Sequence, residues 1–239
     1  MGMVKDIASL PLDRIEDIEK MTVRWLFQAV LDFGFDAYDI FYNSPDDIQD
    51  IAEDITRELL DRLPGYNIPQ RVFGTVDYKR ARYIILPDQI VRQALFVDSK
   101  AEKENRTATI QMSQTSMVVR QYRAGKPTEE QGQLPIVSEY GGVSYLTTTA
   151  LLHFCYDDIN DHHHLREVTV SCIPNGLLQD RYNPSADTTF WLVGRNAPSR
   201  GELFRVRLGF ARLKEMCRWR VQYVSYDQLK RRVSGTWDE

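Results

Sequence analysis

The stretch from Val76 to Lys100, V-D-Y-K-R-A-R-Y-I-I-L-P-D-Q-I-V-R-Q-A-L-F-V-D-S-K, constrains this chain more than any other. Apolar, β-prone runs stand on either side of Leu86-Pro87-Asp88-Gln89. A Pro-Asp pair between such runs favours a bend, so the stretch reads as two strands joined by a turn. Side chains on a strand repeat every two residues, which sends Asp98 and Lys100 to one face and Ser99 to the other. With the turn centred near Asp88, the expected register sets position 98 opposite position 78, and Asp77 then stands within one position of Asp98 on the neighbouring strand. Two carboxylates and an ammonium group converge. Oxygen ligands of this kind can hold a hard divalent cation and orient a water beside it, which is the equipment for hydrolysing a phosphodiester.

Pro87-Asp88 followed by Asp98-Ser99-Lys100 also matches, letter for letter, the nuclease pattern PD-(D/E)xK. Asp88 is rejected as the first ligand. It sits in the turn, and ten residues of strand at about 3.3 Å each hold it roughly 33 Å from Asp98, whereas ligands of one metal must lie within a few ångströms. Asp77 is the better candidate; the competing reading of a lone D-x-K is a solvated charge pair.

At 239 residues, with no Ser/Gly/Pro-rich linker, the chain reads as one domain spanning 1–239 with insertions. A net charge of -4 argues against a general nucleic-acid binder only if it is spread evenly. It is not: Met1 to Leu63 holds 15 acids and 6 bases, whereas Arg195 to Arg232 holds 11 bases and 3 acids, a local +8. The basic end suggests a surface facing a polyanion, with a solvated face as the alternative. Cys155, Cys172 and Cys217 are far apart with no C-x-x-C pair, so free thiols are expected rather than a disulfide framework or a zinc site. Neither a secretory leader nor an apolar run long enough to span a membrane is evident, and a cytoplasmic protein is expected.

Taken in order, residues 13–31 read as a helix with Asp13 and Glu16 as a capping box and Ile15, Ile18, Trp25, Leu26 and Ala29 on one face. A second helix is expected from Ser44 as cap, with Pro45, Asp46 and Asp47 in the first turn and an apolar stripe from Ile48 to Leu63. Glu53 borders that stripe, where it can lean over the sheet edge toward Asp77 and Asp98 or stay solvated. A strand follows from Arg71 to about Lys79, with Asp77 on the face of Phe73 and Thr75. Asn105 and the run Gln111-Met112-Ser113-Gln114 are rich in neutral donors and acceptors, suited to base edges or to an ordinary loop and helix. Gly125 to Gly142 reads as a surface excursion. Strands are expected over Thr147–Tyr156 and Arg166–Ile173, joined by a polar loop holding His162, His163 and His164. A metal site there is set aside, because adjacent residues point in different directions and no carboxylate or thiol stands at ligand spacing. No nucleophile elbow or phosphate-binding loop occurs.

Leu203 to Phe210 alternates, with Phe204, Val206, Leu208 and Phe210 facing one way and Arg205 and Arg207 the other. Two guanidiniums side by side match the O6 and N7 acceptors of guanine, and phosphate contact or solvation would look the same in sequence. A short helix from Ala211 to about Cys217 and a last strand from Trp219 to Tyr226 follow.

These residues resemble the SfiI-type restriction endonucleases of the PD-(D/E)xK superfamily. The likeness lies in A-E-D-I-T at 52–56, G-T-V-D-Y-K-R at 74–80, V-D-S-K-A at 97–101, S-Q at 113–114 with Met117, and R-Y-N-P at 181–184 with Asp187-Thr188. It continues in P-S-R-G-E at 198–202, leading through R-V-R to R-L-K-E-M-C-R-W-R. It runs over nearly the whole chain apart from the 125–142 excursion. The resemblance implies an α/β restriction-endonuclease-like core, a mixed β-sheet flanked by helices, with a C-terminal DNA-reading β region. It implies Asp77, Asp98 and Lys100 as the catalytic group, Asp77 and Asp98 as metal ligands, and Glu53 as an accessory acid. DNA contacts are expected from Arg205, Arg207, Gln111, Ser113, Gln114, Asn105 and Arg195. It further implies Mg2+, double-stranded DNA with interrupted palindromes of GGCC half-sites, and a homotetramer built as two dimers. A structure-selective repair nuclease or junction resolvase would share the metal cluster and ignore base sequence. A non-catalytic DNA-binding module is disfavoured, because Asp77, Asp98 and Lys100 are all present.

Overall fold

In a computed structural model of the chain, the described residues are 7–44, 47–61, 70–71, 81–85, 91–194 and 204–239. Three helices come first: α1 (Leu12–Phe33), α2 (Asp36–Asn43) and α3 (Ile48–Asp61). Strands β1 (Gln70–Arg71), β2 (Ala81–Ile85) and β3 (Gln93–Glu102) lead to β4 (Thr107–Gln111). A hairpin arm of β5 (Val118–Arg123) and β6 (Lys126–Gln131) precedes β7 (Val137–Tyr140), β8 (Val143–Ile159) and β9 (His162–Ile173). The chain ends with α4 (Gln179–Tyr182), β10 (Trp191–Val193), β11 (Arg205–Gly209), α5 (Phe210–Met216), β12 (Val221–Asp227) and β13 (Arg232–Ser234).

The main sheet runs β1-β2-β3-β8-β9-β12-β13, with β7 also on β8. Only β3 and β8 pair in parallel among the described residues, so the sheet is mixed. Both faces of its centre are covered, which is why β8 stays buried from Tyr145 to Tyr156 instead of alternating with polar positions. On one face the apolar stripes of α1, α2 and α3 pack on Leu95, Val97, Leu152, Phe154 and Val170. On the other, Leu151, Ile173 and Val221 meet a small antiparallel sheet, β10-β11-β4, through Ile110, Trp191, Val206 and Leu208.

The observed α1 begins after Pro11, and Asp13 and Glu16 form no capping box: both carboxylates reach Arg181, at 2.6 and 2.5 Å. Ser44 closes α2, its N–H bonded to Ile40 O, and α3 is capped by Asp47, whose Oδ1 accepts from Gln49 N at 2.9 Å. The three histidines lie on β9, not in a loop, because the connection is a two-residue turn at Asn160-Asp161 with φ of 51° and 62°. They are spent on local contacts: His162 Nδ1 on Tyr42 O, His163 Nδ1 on Asp158 Oδ1 and His164 Nδ1 on Tyr38 Oη. No cluster of three or more metal-binding side chains occurs among the described residues. The 125–142 excursion is regular: a turn at Ala124-Gly125 joins β5 to β6, and Gly141-Gly142 joins β7 to β8, all four residues at positive φ as such hairpins require.

Candidate active site

β3 carries the candidate residues Asp98 and Lys100. Its alternation puts Leu95, Val97, Ser99 and Ala101 toward the helices, where Ser99 Oγ donates to Thr56 Oγ1 of α3 at 2.7 Å. Asp98, Lys100 and Glu102 therefore share the opposite face. Lys100 Nζ stands 3.0 Å from Asp98 Oδ2, with the two side chains 21% and 16% exposed. Asp98 Oδ2 is buried and takes no hydrogen bond among the described residues beyond that ion pair. A hard carboxylate oxygen left in this state fits a divalent cation's preference for oxygen ligands.

The hairpin exists, with its register two residues from the expected one. The predicted pairing sets position 81 against position 95, whereas Ala81 pairs with Val97 and Tyr83 with Leu95. A shift of two preserves which face each side chain takes, so the Asp98/Lys100 alternation survives. Asp77, Asp88 and Arg195 lie outside the described residues. Glu53 lies on α3, half-buried, and accepts from Gln49 Nε2 at 3.3 Å.

Across the parallel pair, His153 of β8 is opposite Lys100. It is fully buried, edge-on to Phe210 at 5.3 Å, with Nε2 3.6 Å from Glu102 Oε2. Burial pushes the Glu102 carboxyl up, but His153, the Thr109 backbone N–H and the Arg207 charge outweigh it and hold its pKa below the usual carboxylate range. Sequence reasoning missed both Glu102 and His153. The i, i+2, i+4 alternation from Asp98 signals Glu102; nothing local signals His153, because its place depends on which strand pairs with β3.

The small sheet presents the arginines. Arg205 pairs with Gln111 and Arg207 with Thr109, and residues directly opposite on antiparallel strands share a face. Val206 and Leu208 are buried on the inner side, leaving Arg205, Arg207, Thr109 and Gln111 half-buried on the outer one. The entry to β11 is anchored by Arg123 of the hairpin arm. Its Nη2 donates to Arg205 O at 3.0 Å and Gly194 O at 3.2 Å, and its guanidinium lies over the Phe204 ring. Gly194 permits this approach, since a Cβ there would come within 2.5 Å of Arg205 O. Gln114 is only 3% exposed, and its Oε1 caps the turn by accepting from Gln111 N at 2.8 Å. Ser113 and Gln114 line one small cavity with Asp98, which brings that turn against β3. Asn105 is exposed in the bend between β3 and β4.

Residues 31–224 match the family described as Type II restriction enzyme SfiI. The type II restriction enzyme SfiI of Streptomyces fimbriatus is 34% identical over 250 residues, covering 98% of this chain and 93% of the relative. The crystal structure of tetrameric restriction endonuclease SfiI bound to cognate DNA superposes with a TM-score of 0.86 at 31% identity, over 99% of this chain and 93% of that one. The restriction endonuclease BglI, solved bound to its DNA recognition sequence, shares the fold at a TM-score of 0.71 and 13% identity, over 88% and 90% of the two chains. With the Asp98/Lys100 strand and the facing arginine strand built on this frame, the chain belongs to the SfiI family of type II restriction enzymes.

Proposed function

We propose that this sequence-specific restriction endonuclease hydrolyses double-stranded DNA with Mg2+ at an interrupted, GC-rich palindrome with GGCC-type half-sites, working as two dimers. One observation carries the reading: Asp98 of the Asp98–Lys100 pair lines one small cavity with Ser113 and Gln114, in the turn that follows β4, and β4 pairs with the arginine strand. Cutting and reading groups are thus adjacent in one chain. Asp98 and Asp77 are the residues that would hold Mg2+, which when bound supplies Lewis acidity at the phosphate. Lys100 orients the attacking water and offsets charge developing on the phosphate oxygens. Glu53 is an accessory acid beside the same strand. Arg205 and Arg207 direct guanidinium forks at guanine O6 and N7, with Gln111 and Ser113 as neutral partners, Gln114 holding their turn, and Asn105 and Arg195 at the flanks. The second dimer follows the tetrameric relative. No described helix is long and apolar enough to cross a membrane, and a cytoplasmic location fits an enzyme that meets DNA.

The test is cleavage of a plasmid carrying such a palindrome. Cutting should require Mg2+, stop on chelation and be lost in Asp98→Ala, while metal-free binding to the duplex persists. Equal cutting by Asp98→Ala would remove this strand from the chemistry.

A further inference from the structure

The backbone of β3 on either side of Lys100 is held by one side chain of α3. Gln49, in the first turn of α3, supplies it. Its Nε2 donates to Ser99 O at 2.8 Å and its Oε1 accepts from Ala101 N at 3.3 Å. These are the carbonyl before Lys100 and the N–H after it. A residue on a neighbouring parallel strand makes the same two bonds, one donated and one accepted around a single facing residue. The primary amide of Gln49 thus makes the two bonds that one peptide of a parallel strand would make, centred on Lys100.

The same amide is tied to the accessory acid, since its Nε2 also lies 3.3 Å from Glu53 Oε1 one helical turn along. A further bond, from Ser99 Oγ to Thr56 Oγ1, fastens the other side of the strand to the same helix. We infer that Gln49 is a positioning residue that fixes the backbone at Lys100 and sets Glu53 at a constant distance from it. The inference rests on the nuclease reading of Lys100. Small displacements at a reacting centre cost rate steeply, with a shift of about 1 Å worth up to about 100-fold. Substrate affinity depends on the arginine strand instead, so loss of the amide should appear in the chemical step and leave DNA binding alone.

The experiment compares the parent with Gln49→Met, which keeps the length of the side chain and loses both hydrogen bonds. Single-turnover cleavage at saturating Mg2+ should slow by about 10- to 100-fold. The Kd for the cognate duplex measured without divalent metal should stay within about twofold, and amide hydrogen exchange at Ala101 should accelerate in the metal-free protein. Parental cleavage or unchanged exchange would overturn the inference. So would a joint fall in thermal stability, binding and rate, which is the signature of a helix that merely packs badly. Gln49→Glu provides a second reading at equal volume: it retains an acceptor for Ala101 N–H, has no donor for Ser99 O, and faces Glu53 with a like charge. It should be as slow as Gln49→Met, and parental cleavage by Gln49→Glu also overturns the inference. A parent that cuts no duplex sinks the nuclease reading instead, and exchange at Ala101 then decides the strand contact by itself.

Discussion

Lys100 can serve the proposed chemistry only from where its backbone and Asp98 hold it, and single substitutions should show this. Lys100→Ala and Asp77→Ala are expected to abolish cleavage with DNA binding retained, because both act on charge that develops during the reaction. Asp88→Ala should still cut. An active Asp77→Ala protein beside a folded, inactive Asp88→Ala protein would reverse the assignment, and plasmid nicking assays distinguish the two. Glu102 supplies a pH test. Its carboxyl is held below its ordinary value when folded, so its contribution to stability is present above the unfolded pKa and fades as pH falls through the folded one. Glu102→Gln should therefore lower the Tm at pH 7 and match the parent's Tm once the pH is well below about 4. A Tm difference that persists in acid would assign the effect to packing. The face shared by Asp98 and Lys100 was legible in the sequence because strand alternation is a local rule. Gln49 was not, since its role depends on how α3 packs along β3.

Among the elements, β11 shows how far alternation reaches. The inward Val206 and Leu208 and the outward Arg205 and Arg207 follow from the residue pattern, and only the fold reveals Gln111 and Thr109 as their partners on β4. Arg205→Ala or Arg207→Ala should cost about 1 to 3 kcal/mol on cognate duplex and far less on unrelated DNA. Equal losses on both, with a shallower salt slope, would make these backbone contacts. Asn183, within the R-Y-N-P segment, is fully buried and binds Arg120 N and O as well as Ser185 O and Thr188 O, so it ties the hairpin arm to the body. Replacing it with Ala removes these four hydrogen bonds, each worth about 0.5 to 1.5 kcal/mol net, and denaturant melts should show a large loss of stability. A melt unchanged within error would contradict that account. What the sequence concealed has physical causes. The hairpin register shifted by two, which leaves the face pattern intact and so leaves no trace in it. Ser44 and Asp47 are both good caps, and α2, which sequence periodicity did not separate, took Ser44 for its end. The histidines read as loop because the strand ends that flank the two-residue turn, Asp157-Asp158 on β8 and His162-His163-His164 on β9, are themselves polar.

Across the whole molecule, two arginines of the basic last third pair with acids of the first third. Arg220 is fully buried against Glu19 at 2.7 Å, and Arg231 pairs with Asp39 at 2.8 Å. Burial raises the Glu19 carboxyl, and the Glu19 charge, against burial, holds the Arg220 guanidinium above its ordinary value. Part of the basic excess is therefore spent on folding, and the polyanion surface is narrower than composition suggests. Assembly follows from the single Asp98/Lys100 strand per chain. Two scissile phosphates related by a two-fold axis require two chains, and a second dimer raises the effective concentration of a second site on one molecule. Sedimentation should give four chains, and a two-site plasmid should be cut faster than a one-site plasmid; a mass of two chains with equal rates would leave only the dimer. The central claim, sequence-specific cleavage, is tested most directly by digesting a plasmid library with the protein and Mg2+ and sequencing every end. The ends should converge on one interrupted palindrome with G·C-rich halves. Ends scattered without a shared sequence, or cutting confined to branched DNA, would contradict it.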